Sequence, residues 1–209
     1  MSSTDRQQAL GTTPVSRETA ERLDAFVALL LRWQARINLI SSATIPSLWT
    51  RHVADSLQLV DLGAEAEVWV DIGSGAGFPG VIIAVAAIDR PNFRLFMVES
   101  NKKRCAFLNE ALRVTGARAQ VIPDRIENAR DKLPPADIVS ARAVAALPDL
   151  LDMAYPLLKT DGRGLFPKGQ DVESELTQAA KCWKFNHHLT PSRTDPKARI
   201  VTVSKLERR

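Results

Sequence analysis

The chain has 209 residues, of which 45% are hydrophobic and 25% charged, and its formal net charge is +4. This size allows one domain with a substantial apolar core, and the mild basic excess is compatible with nucleic-acid binding without establishing it, since a lysine-rich surface gives the same balance. The composition argues against a membrane-spanning segment, because the longest purely apolar run, residues 81–88, is far shorter than the roughly 18 residues that a spanning helix needs.

The cysteines and histidines do not predict a metal site. Cys105 and Cys182 lie far apart in the sequence, without the spacing of a metal site. His187 and His188 are adjacent, so on a strand they would point to opposite faces. Two isolated cysteines suit free thiols in a reducing compartment, and the polar first ten residues lack the apolar core of a secretory signal. We therefore expect a cytoplasmic protein without a bound metal.

The first 65 residues predict a helical extension. Residues 1–15 look frayed, and Ser16 is a plausible cap for a helix that follows. Apolar residues recur at helical spacing as far as residue 40, where two serines end the pattern. A second helix is predicted over residues 45–62, ending at Gly63.

Residues 66–209 predict an α/β domain. The predicted strands are 67–72, 93–98, 118–122, 136–141, 162–167, 184–190 and 198–204, with helices near 78–88, 101–115, 147–158 and 170–181. Alternating strands and helices indicate a mostly parallel sheet that is covered on both faces. The prolines between the last two strands indicate a loop there, and hence an antiparallel hairpin. This seven-stranded order is similar to the Rossmann-like fold of class I S-adenosylmethionine-dependent methyltransferases.

A strand that ends in an acid and a glycine-rich turn is the most informative feature of the chain. The apolar strand around Asp71 runs into four glycines within residues 73–80, and an apolar helical stretch follows. Glycines at such a turn accept positive φ and let the backbone approach a ligand closely. The start of the helix then offers unpaired N–H groups. The turn therefore predicts a site for a nucleotide-type cofactor.

Two cofactor patterns match this turn. Residues 75–80 fit the dinucleotide fingerprint Gly-x-Gly-x-x-Gly, with Glu99 about 20 residues further on, which would make the chain a nicotinamide-dependent oxidoreductase. Residues 71–77 fit the Asp-x-Gly-x-Gly-x-Gly pattern of methyltransferases. The second pattern is favoured because Gly73 directly follows the strand, and because Asp71 would repel a pyrophosphate but suits the cationic groups of S-adenosylmethionine. In that pattern Glu99 accepts both ribose hydroxyls.

Six further segments carry a resemblance to one family. They are Trp33-x-x-x-Ile37-Asn38-Leu39, Arg51-His52-x-x-Asp55-Ser56-Leu57, Gly77-Phe78-Pro79-Gly80, Glu99-Ser100-x-x-Lys103-Arg104-x-x-Phe107-Leu108, Ser140-Ala141-Arg142-Ala143-Val144-Ala145 and Lys168-Gly169. Together they resemble the RsmG (GidB) family of 16S rRNA methyltransferases, which methylate guanine N7. The resemblance implies S-adenosylmethionine as cofactor and formation of 7-methylguanosine in the decoding-site loop of 16S rRNA. We further expect a monomer that acts on 16S rRNA or the small ribosomal subunit, not on DNA or a membrane.

The patterns and the resemblance together define the expected site. The cofactor-binding candidates are Asp71, Gly73, Gly75, Gly77, Phe78, Glu99, Ser100, Ile126, Glu127 and Arg142, of which Gly73, Phe78, the Ile126-Glu127 pair and Arg142 follow from the family pattern. The RNA-binding candidates are Lys102, Lys103, Arg104, Arg125 and Lys168. In the extension, Arg51 and Asp55 are spaced to pair on one helix face, and Trp33 and Trp49 are expected in the core.

The chemistry of the acceptor explains why the chain needs no obvious catalytic base. Guanine N7 presents an unprotonated lone pair at neutral pH, so positioning it in line with the methyl group supplies most of the rate enhancement. Arg142 is the catalytic candidate, and we expect it to contact the carboxylate of the cofactor or an RNA phosphate. A non-catalytic ribosome-assembly factor that retains the cofactor fold remains the second alternative, beside the oxidoreductase.

Overall fold

The computed structural model describes residues 3–209. Its helices are α1 (Ser3–Thr12), α2 (Arg17–Gln34), α3 (Asp55–Leu62), α4 (Gly80–Ala86), α5 (Lys102–Thr115), α6 (Ile126–Ala129), α7 (Leu147–Ala154) and α8 (Val172–Ala179). Its strands are β1 (Val68–Ile72), β2 (Arg94–Val98), β3 (Gln120–Ile122), β4 (Ala136–Ala141), β5 (Leu158–Lys168), β6 (Trp183–Pro191) and β7 (Arg199–Arg208). Within residues 3–209, no helix is both long and apolar enough to cross a membrane.

The seven strands form one sheet in the order β3-β2-β1-β4-β5-β7-β6. The first five strands of this order pair in parallel, whereas β7 runs antiparallel to both β5 and β6. The predicted class I fold, with a mostly parallel sheet and an antiparallel hairpin at the end, is confirmed. The chain reverses direction across the sheet between β1 and β4, and such a switch point leaves a crevice at the carboxyl ends of the strands.

Strand β1 lies between β2 and β4 in the sheet and is buried on both faces. Trp69 points into an apolar cluster that also contains α2, α4 and α5, while Val68, Val70 and Ile72 point into a second cluster with α7 and α8. Because side chains alternate along a strand, Asp71 shares the face of Trp69. The single acid of the strand is therefore directed towards the face that carries the N-terminal helices.

The N-terminal extension and the sheet share one apolar core. Trp49 is 1% exposed, and Leu23, Phe26 and Leu30 lie in the same cluster as residues of α4 and α5. Trp33 donates from Nε1 to Glu110 of α5 at 2.9 Å, and its ring meets Phe107 edge to face. The expected core contacts of both tryptophans are thus present, and the division at residue 65 stays a prediction about chain organisation.

The prediction that the first 15 residues are frayed is wrong for residues 3–12, which form helix α1. Asp5 fixes this helix to the following segment, because its carboxylate accepts the backbone N–H groups of Trp49 and Thr50 at 2.8 and 3.2 Å. Arg6 forms a second tie through an ion pair with Asp24 of α2 at 2.7 Å. These partners are distant in sequence, so helical periodicity alone could not reveal them.

Helix α2 ends at Gln34, six residues before the predicted end, because the Gln34 side chain captures the chain that follows. Its Oε1 accepts from the N–H groups of Leu39 and Ile40, and its Nε2 donates to the Ile40 carbonyl at 2.8 Å. The second predicted helix ends before Gly63 as expected, but it is a 3-10 turn (Ser42–Ser47), a π-helical turn (Trp49–Ala54) and α3 in succession.

Candidate active site

The glycine turn after β1 is anchored to the end of β2. The N–H groups of Gly73 and Ser74 both donate to the Val98 carbonyl, at 2.9 and 3.1 Å. Gly73, Gly75 and Gly77 have φ values of +65°, +51° and +86°, which favour glycine. A Cβ at Gly73 would lie 2.7 Å from a methyl group of Val144. The turn therefore requires glycine for both its backbone conformation and its contact with the loop after β4.

Glu99 holds the glycine turn from the other side. It directly follows β2 and is 6% exposed. One carboxylate oxygen accepts from the Gly75 N–H at 3.0 Å and the other from the Asn101 N–H at 2.7 Å. A carboxylate oxygen accepts more than one hydrogen bond. Glu99 can therefore brace the turn and still accept the two ribose hydroxyls predicted for it.

A cavity of about 330 Å³, which we call the cofactor cavity, opens at the carboxyl ends of β1, β2 and β3. It is lined by Ile72, Gly73, Val98, Glu99, Ser100, Asp124, Arg125, Ile126, Glu127, Val144 and Met153. Helix α6, which the sequence did not predict, brings Ile126 and Glu127 to this wall. An apolar wall beside a carboxylate suits a nucleoside, so these residues fit the adenosine part of S-adenosylmethionine.

Asp71 does not reach this cavity, contrary to the expectation that it faces the cofactor. It is fully buried, and its Oδ1 accepts from the Ser140 hydroxyl at 2.8 Å, which in turn accepts from the Trp69 indole N–H at 2.9 Å. A Cβ at Gly80 would lie 2.7 Å from Asp71 Oδ2, so the absence of a side chain lets α4 begin directly above the carboxyl group. The alternation of side chains along β1 explains why Asp71 points away from this cavity, because Asp71 shares the face of Trp69.

Phe78 is likewise a core residue and does not line the cofactor cavity. Its ring is 4% exposed, stacks on the His52 ring at a centroid distance of 5.0 Å, and meets Phe26 edge to face at 5.4 Å. The Arg142 guanidinium lies over the same ring, 5.1 Å from the centroid. The phenyl ring therefore connects the extension to the edge of the sheet. This geometry does not support the predicted direct contact of Phe78 with the cofactor.

Arg142 follows β4 directly and binds three groups of the extension. Its Nη1 donates to the Arg51 carbonyl at 3.1 Å and to Asp55 Oδ2 at 3.4 Å, and its Nη2 lies 2.7 Å from His52 Nδ1. Burial lowers the pKa of Arg142, while Asp55 opposes that shift. The expected pair between Arg51 and Asp55 is wrong: the π-helical turn alters their spacing, so Asp55 pairs with Arg142 instead.

His52 is neutral in this arrangement. Burial and the charges of Arg142 and Arg51 lower the pKa of His52 to about 3. Because a guanidinium has no acceptor, Nδ1 of His52 must accept from Arg142, which leaves the proton on Nε2. That proton is donated to the Thr44 hydroxyl, 2.9 Å away. Both ring nitrogens are thus committed to hydrogen bonds within the protein, so His52 has a positioning role.

A second cavity, which we call the basic cavity, has a volume of about 420 Å³ and lies beside Arg142. Its charged lining residues are Arg51, Asp55, Arg142, Lys168, Asp195 and Arg199. The two cavities adjoin at residues 142–144, because Arg142 and Ala143 line the basic cavity and Val144 lines the cofactor cavity. The loop between β6 and β7, which forms one wall, was missed by the sequence reasoning, since nothing local in residues 192–198 indicates a site.

The predicted RNA-binding residues divide into two groups. Lys102, Lys103 and Arg125 are exposed near the cofactor cavity, and Arg104 is half-buried on the same helix start. Lys168 is different: its side chain is 9% exposed and its ammonium group pairs with Glu175 at 2.7 Å and donates to the Ala145 carbonyl at 2.8 Å. Lys168 therefore holds the loop after β4 against α8, and a free phosphate contact is not supported there.

Comparison with known proteins identifies the family. A family model described as rRNA small subunit methyltransferase G (GidB) matches residues 19–199. The ribosomal RNA small subunit methyltransferase G of Rhodopseudomonas palustris (strain BisB18) is 53% identical over 204 residues, covering 97% of this chain and 87% of the relative. Its counterpart in Methylobacterium radiotolerans is 52% identical over 206 residues, covering 99% and 97%. The chain belongs to this family.

Solved structures support the fold of this methyltransferase G family member. An O-methyltransferase from Bacillus cereus in complex with SAH superposes with a TM-score of 0.64 at 14% identity, covering 97% of each chain. The M. jannaschii TYW2 in complex with AdoMet superposes with a TM-score of 0.54 at 19% identity, covering 74% of this chain and 77% of that one. At such identities the likeness concerns the fold, and it agrees with the class I architecture predicted from the sequence.

The buried carboxyl group of Asp71 makes the stability of this family member depend on pH. Burial raises the pKa of Asp71 from 3.8 to about 6, although hydrogen bonds, including that from Ser140, oppose the shift. The folded state therefore binds more protons than the unfolded state between these two values, so the free energy of unfolding falls as the pH rises through this window. A shift of this size corresponds to about 3 kcal/mol once the pH exceeds the folded-state pKa.

The substitution Asp71→Asn removes this titration, since the amide is neutral at every pH. We therefore compare the free energy of unfolding of the variant with that of the wild type. The difference, variant minus wild type, should increase by about 1–3 kcal/mol between pH 4 and pH 7.5. Urea unfolding at pH 4, 5, 6 and 7.5 measures the difference, with Asp161→Asn, an exposed carboxylate, as the control. If the difference in free energy of unfolding between Asp71→Asn and the wild type is constant across this range, the raised pKa of the buried carboxyl group is contradicted.

Proposed function

We propose that the chain transfers a methyl group from S-adenosylmethionine to N7 of a guanosine in the decoding-site loop of 16S rRNA, giving 7-methylguanosine. As a member of the rRNA small subunit methyltransferase G family, the chain is an S-adenosylmethionine-dependent methyltransferase of 16S rRNA. The single observation that carries the residue-level proposal is the pair of adjoining cavities at the carboxyl edge of the sheet. One is suited to a nucleoside cofactor and the other is rich in cationic side chains.

In this proposal the cofactor is held by the glycine turn, Glu99 and α6. Glu99 accepts the ribose hydroxyls with its remaining lone pairs, and Ser100, Ile126 and Glu127 surround the adenosine. Asp71 contributes indirectly, because it is buried against the start of α4 at Gly80. When bound, S-adenosylmethionine supplies an electrophilic methyl group on a sulfonium centre.

The residues around the basic cavity position the acceptor and do not abstract a proton. His52 and Asp55 are committed to Arg142, and guanine N7 already carries a free lone pair, so the reaction requires no base. Arg142 lines the basic cavity and not the cofactor cavity, so of its two expected partners we favour an RNA phosphate over the carboxylate of the cofactor. Holding N7 in line with the methyl group then provides the rate enhancement.

The two alternative functions, a nicotinamide-dependent oxidoreductase and a non-catalytic ribosome-assembly factor, both lose support. The dinucleotide fingerprint would begin its tight turn at Gly75, but the turn begins at Gly73, whose N–H bonds to Val98, and membership of a methyltransferase family argues against the oxidoreductase. A non-catalytic assembly factor would not require the Arg142 cluster beside the cofactor cavity. We further propose that the protein acts as a cytoplasmic monomer on the small ribosomal subunit or its rRNA, with no role on DNA.

Methyl transfer can be tested with isotopically labelled S-adenosylmethionine and small subunits from a strain that lacks this enzyme. The wild-type chain should add one labelled methyl group at guanosine N7, detected by mass spectrometry of digested 16S rRNA. In Arg142→Ala the single-turnover rate should fall about 100-fold, as expected when the reacting atoms lose their alignment. Binding of S-adenosylhomocysteine, measured by calorimetry, should change little, because Arg142 does not line the cofactor cavity.

Two further variants sharpen this test. Arg142→Lys keeps the charge but lacks the planar fork that reaches three acceptors, so it should also be slow. The matched control is Arg94→Ala. Arg94 is exposed and begins β2, at the end of the strand away from the cofactor cavity, so this variant should retain full activity. Near-normal single-turnover rates in both Arg142 variants would remove this arginine from the active site, and absence of labelled 7-methylguanosine with the wild type would refute the proposed reaction.

The exposed cations beside the cofactor cavity should bind the rRNA backbone. Each phosphate that a lysine or arginine neutralises adds about one unit to the slope of log affinity against log salt concentration. The triple variant Lys102→Ala/Lys103→Ala/Arg125→Ala should therefore weaken binding to the small subunit and reduce this slope by about three units. Filter binding at several salt concentrations measures both effects.

A control triple of equal charge separates local contacts from net charge. Arg94, Lys181 and Lys184 are exposed away from the cofactor cavity, and replacing all three with alanine removes the same number of positive charges. If both triples reduce the slope equally, the effect comes from the overall field of the protein and the proposed backbone contact is wrong.

A further inference from the structure

The basic cavity contains two carboxylates whose environments differ. Asp55 is largely enclosed: Oδ1 accepts from the Thr194 hydroxyl and from Gln58 Nε2, each at 2.9 Å, and Oδ2 accepts from Arg142 at 3.4 Å. Its acceptor capacity is directed into the protein. Asp55 therefore belongs to the framework that holds Arg142 and is poorly placed to bind a ligand.

Asp195 is the carboxylate that remains available at the surface of this cavity. It lies on the loop between β6 and β7, and its side chain is 35% exposed. Oδ1 accepts from the Lys197 N–H at 2.9 Å, and Oδ2 makes a longer contact of 3.4 Å with Arg51. This partly exposed carboxylate thus lines a cavity whose other charged walls include Arg51, Arg142 and Arg199.

Guanine presents a matching pair of donors. Its N1–H and N2 amino group lie side by side on the Watson–Crick edge, next to the O6 acceptor, whereas the N7 acceptor lies beyond O6 on the major-groove edge. Enzymes that modify a base commonly read this edge after turning the base out of its stack. A carboxylate that accepts from N1–H and N2–H leaves the N7 lone pair free and directed away from it, as attack on a methyl group requires. Adenine offers an acceptor at N1, which a carboxylate would repel.

We propose that the basic cavity receives the target guanine and that Asp195 selects it by accepting hydrogen bonds from N1–H and the N2 amino group. This inference rests on the proposed function and assigns the determinant of base specificity. Methylation at N7 transfers the positive charge of the sulfonium to the purine, so a carboxylate on the Watson–Crick edge also stabilises the product-like charge. The cationic walls are then free to hold the flanking phosphates.

A purely structural role for Asp195 makes a different prediction, because Asp195 could serve only to orient Arg51. Such a role would change activity on every substrate equally. Replacing the target guanosine with inosine removes only the N2 amino group, so the ratio of the two rates isolates that hydrogen bond. Asp195→Asn retains an oxygen for the Lys197 N–H, so the loop keeps its own hydrogen bond.

The experiment uses splint-ligated 16S rRNA that carries either guanosine or inosine at the target position, reconstituted into small subunits. Single-turnover methylation is measured with the full chain, and binding of S-adenosylhomocysteine confirms that each variant is folded. The wild type should methylate guanosine about tenfold faster than inosine, the loss expected for one hydrogen bond to a charged acceptor. In Asp195→Asn this ratio should fall to within about twofold, while Asp161→Asn, an exposed acid that does not line the basic cavity, should keep it.

The outcomes are distinguishable. If Asp195→Asn is slower but keeps the tenfold ratio, Asp195 acts only through Arg51 and the specificity role is refuted. If the wild type methylates guanosine and inosine equally, the Watson–Crick edge is not read and the proposal is also refuted. If the wild type methylates neither substrate, the proposed function itself fails, and the inference fails with it.

Discussion

The cluster around Arg142 is the interaction on which the rest of the site depends. One guanidinium donates to a backbone carbonyl, a carboxylate and a histidine of the extension, and its face lies on the Phe78 ring of the glycine turn. A buried guanidinium is costly unless its donors are satisfied, so the surrounding groups must adopt one arrangement. This requirement connects the N-terminal extension, the turn after β1 and the loop after β4 at a single point.

The two acids near the glycine turn show how environment assigns different roles to one type of group. Asp71 is enclosed between Ser140 and the start of α4, and burial raises its pKa. Glu99 lines the cofactor cavity, where its carboxylate oxygens accept from the backbone N–H groups of Gly75 and Asn101. Asp71, within β1, is therefore enclosed behind the glycine turn, whereas Glu99, which follows β2, faces the cofactor cavity.

The sequence predicted the sheet well because strand alternation, the glycine turn and the helix caps are local signals. All seven strands and the antiparallel hairpin could be inferred in this way, whereas the prediction for Arg142 came from the family resemblance. Signals that depend on distant partners could not: Asp5 caps a turn more than 40 residues away, and Lys168 is paired with Glu175. The type of residue at Asp71 and Phe78 was informative, but their orientation depended on which face of the sheet the extension covers.

The basic cavity is built from segments that lie far apart in the sequence. Asp55 and Arg142 are 87 positions apart, and Asp55 and Thr194 are 139 apart, so the cavity requires the extension, the loop after β4 and the C-terminal hairpin together. The O-methyltransferase of Bacillus cereus has a similar fold at 14% identity, and a shared fold does not by itself determine which acceptor is bound. The π-helical turn at Trp49–Ala54 contributes to the basic cavity, because it directs Asp55 to Arg142 and leaves Arg51 to contact the C-terminal loop. In the proposed function, acceptor recognition thus depends on parts of the chain that are distant in sequence, whereas the glycine turn belongs to the proposed cofactor site.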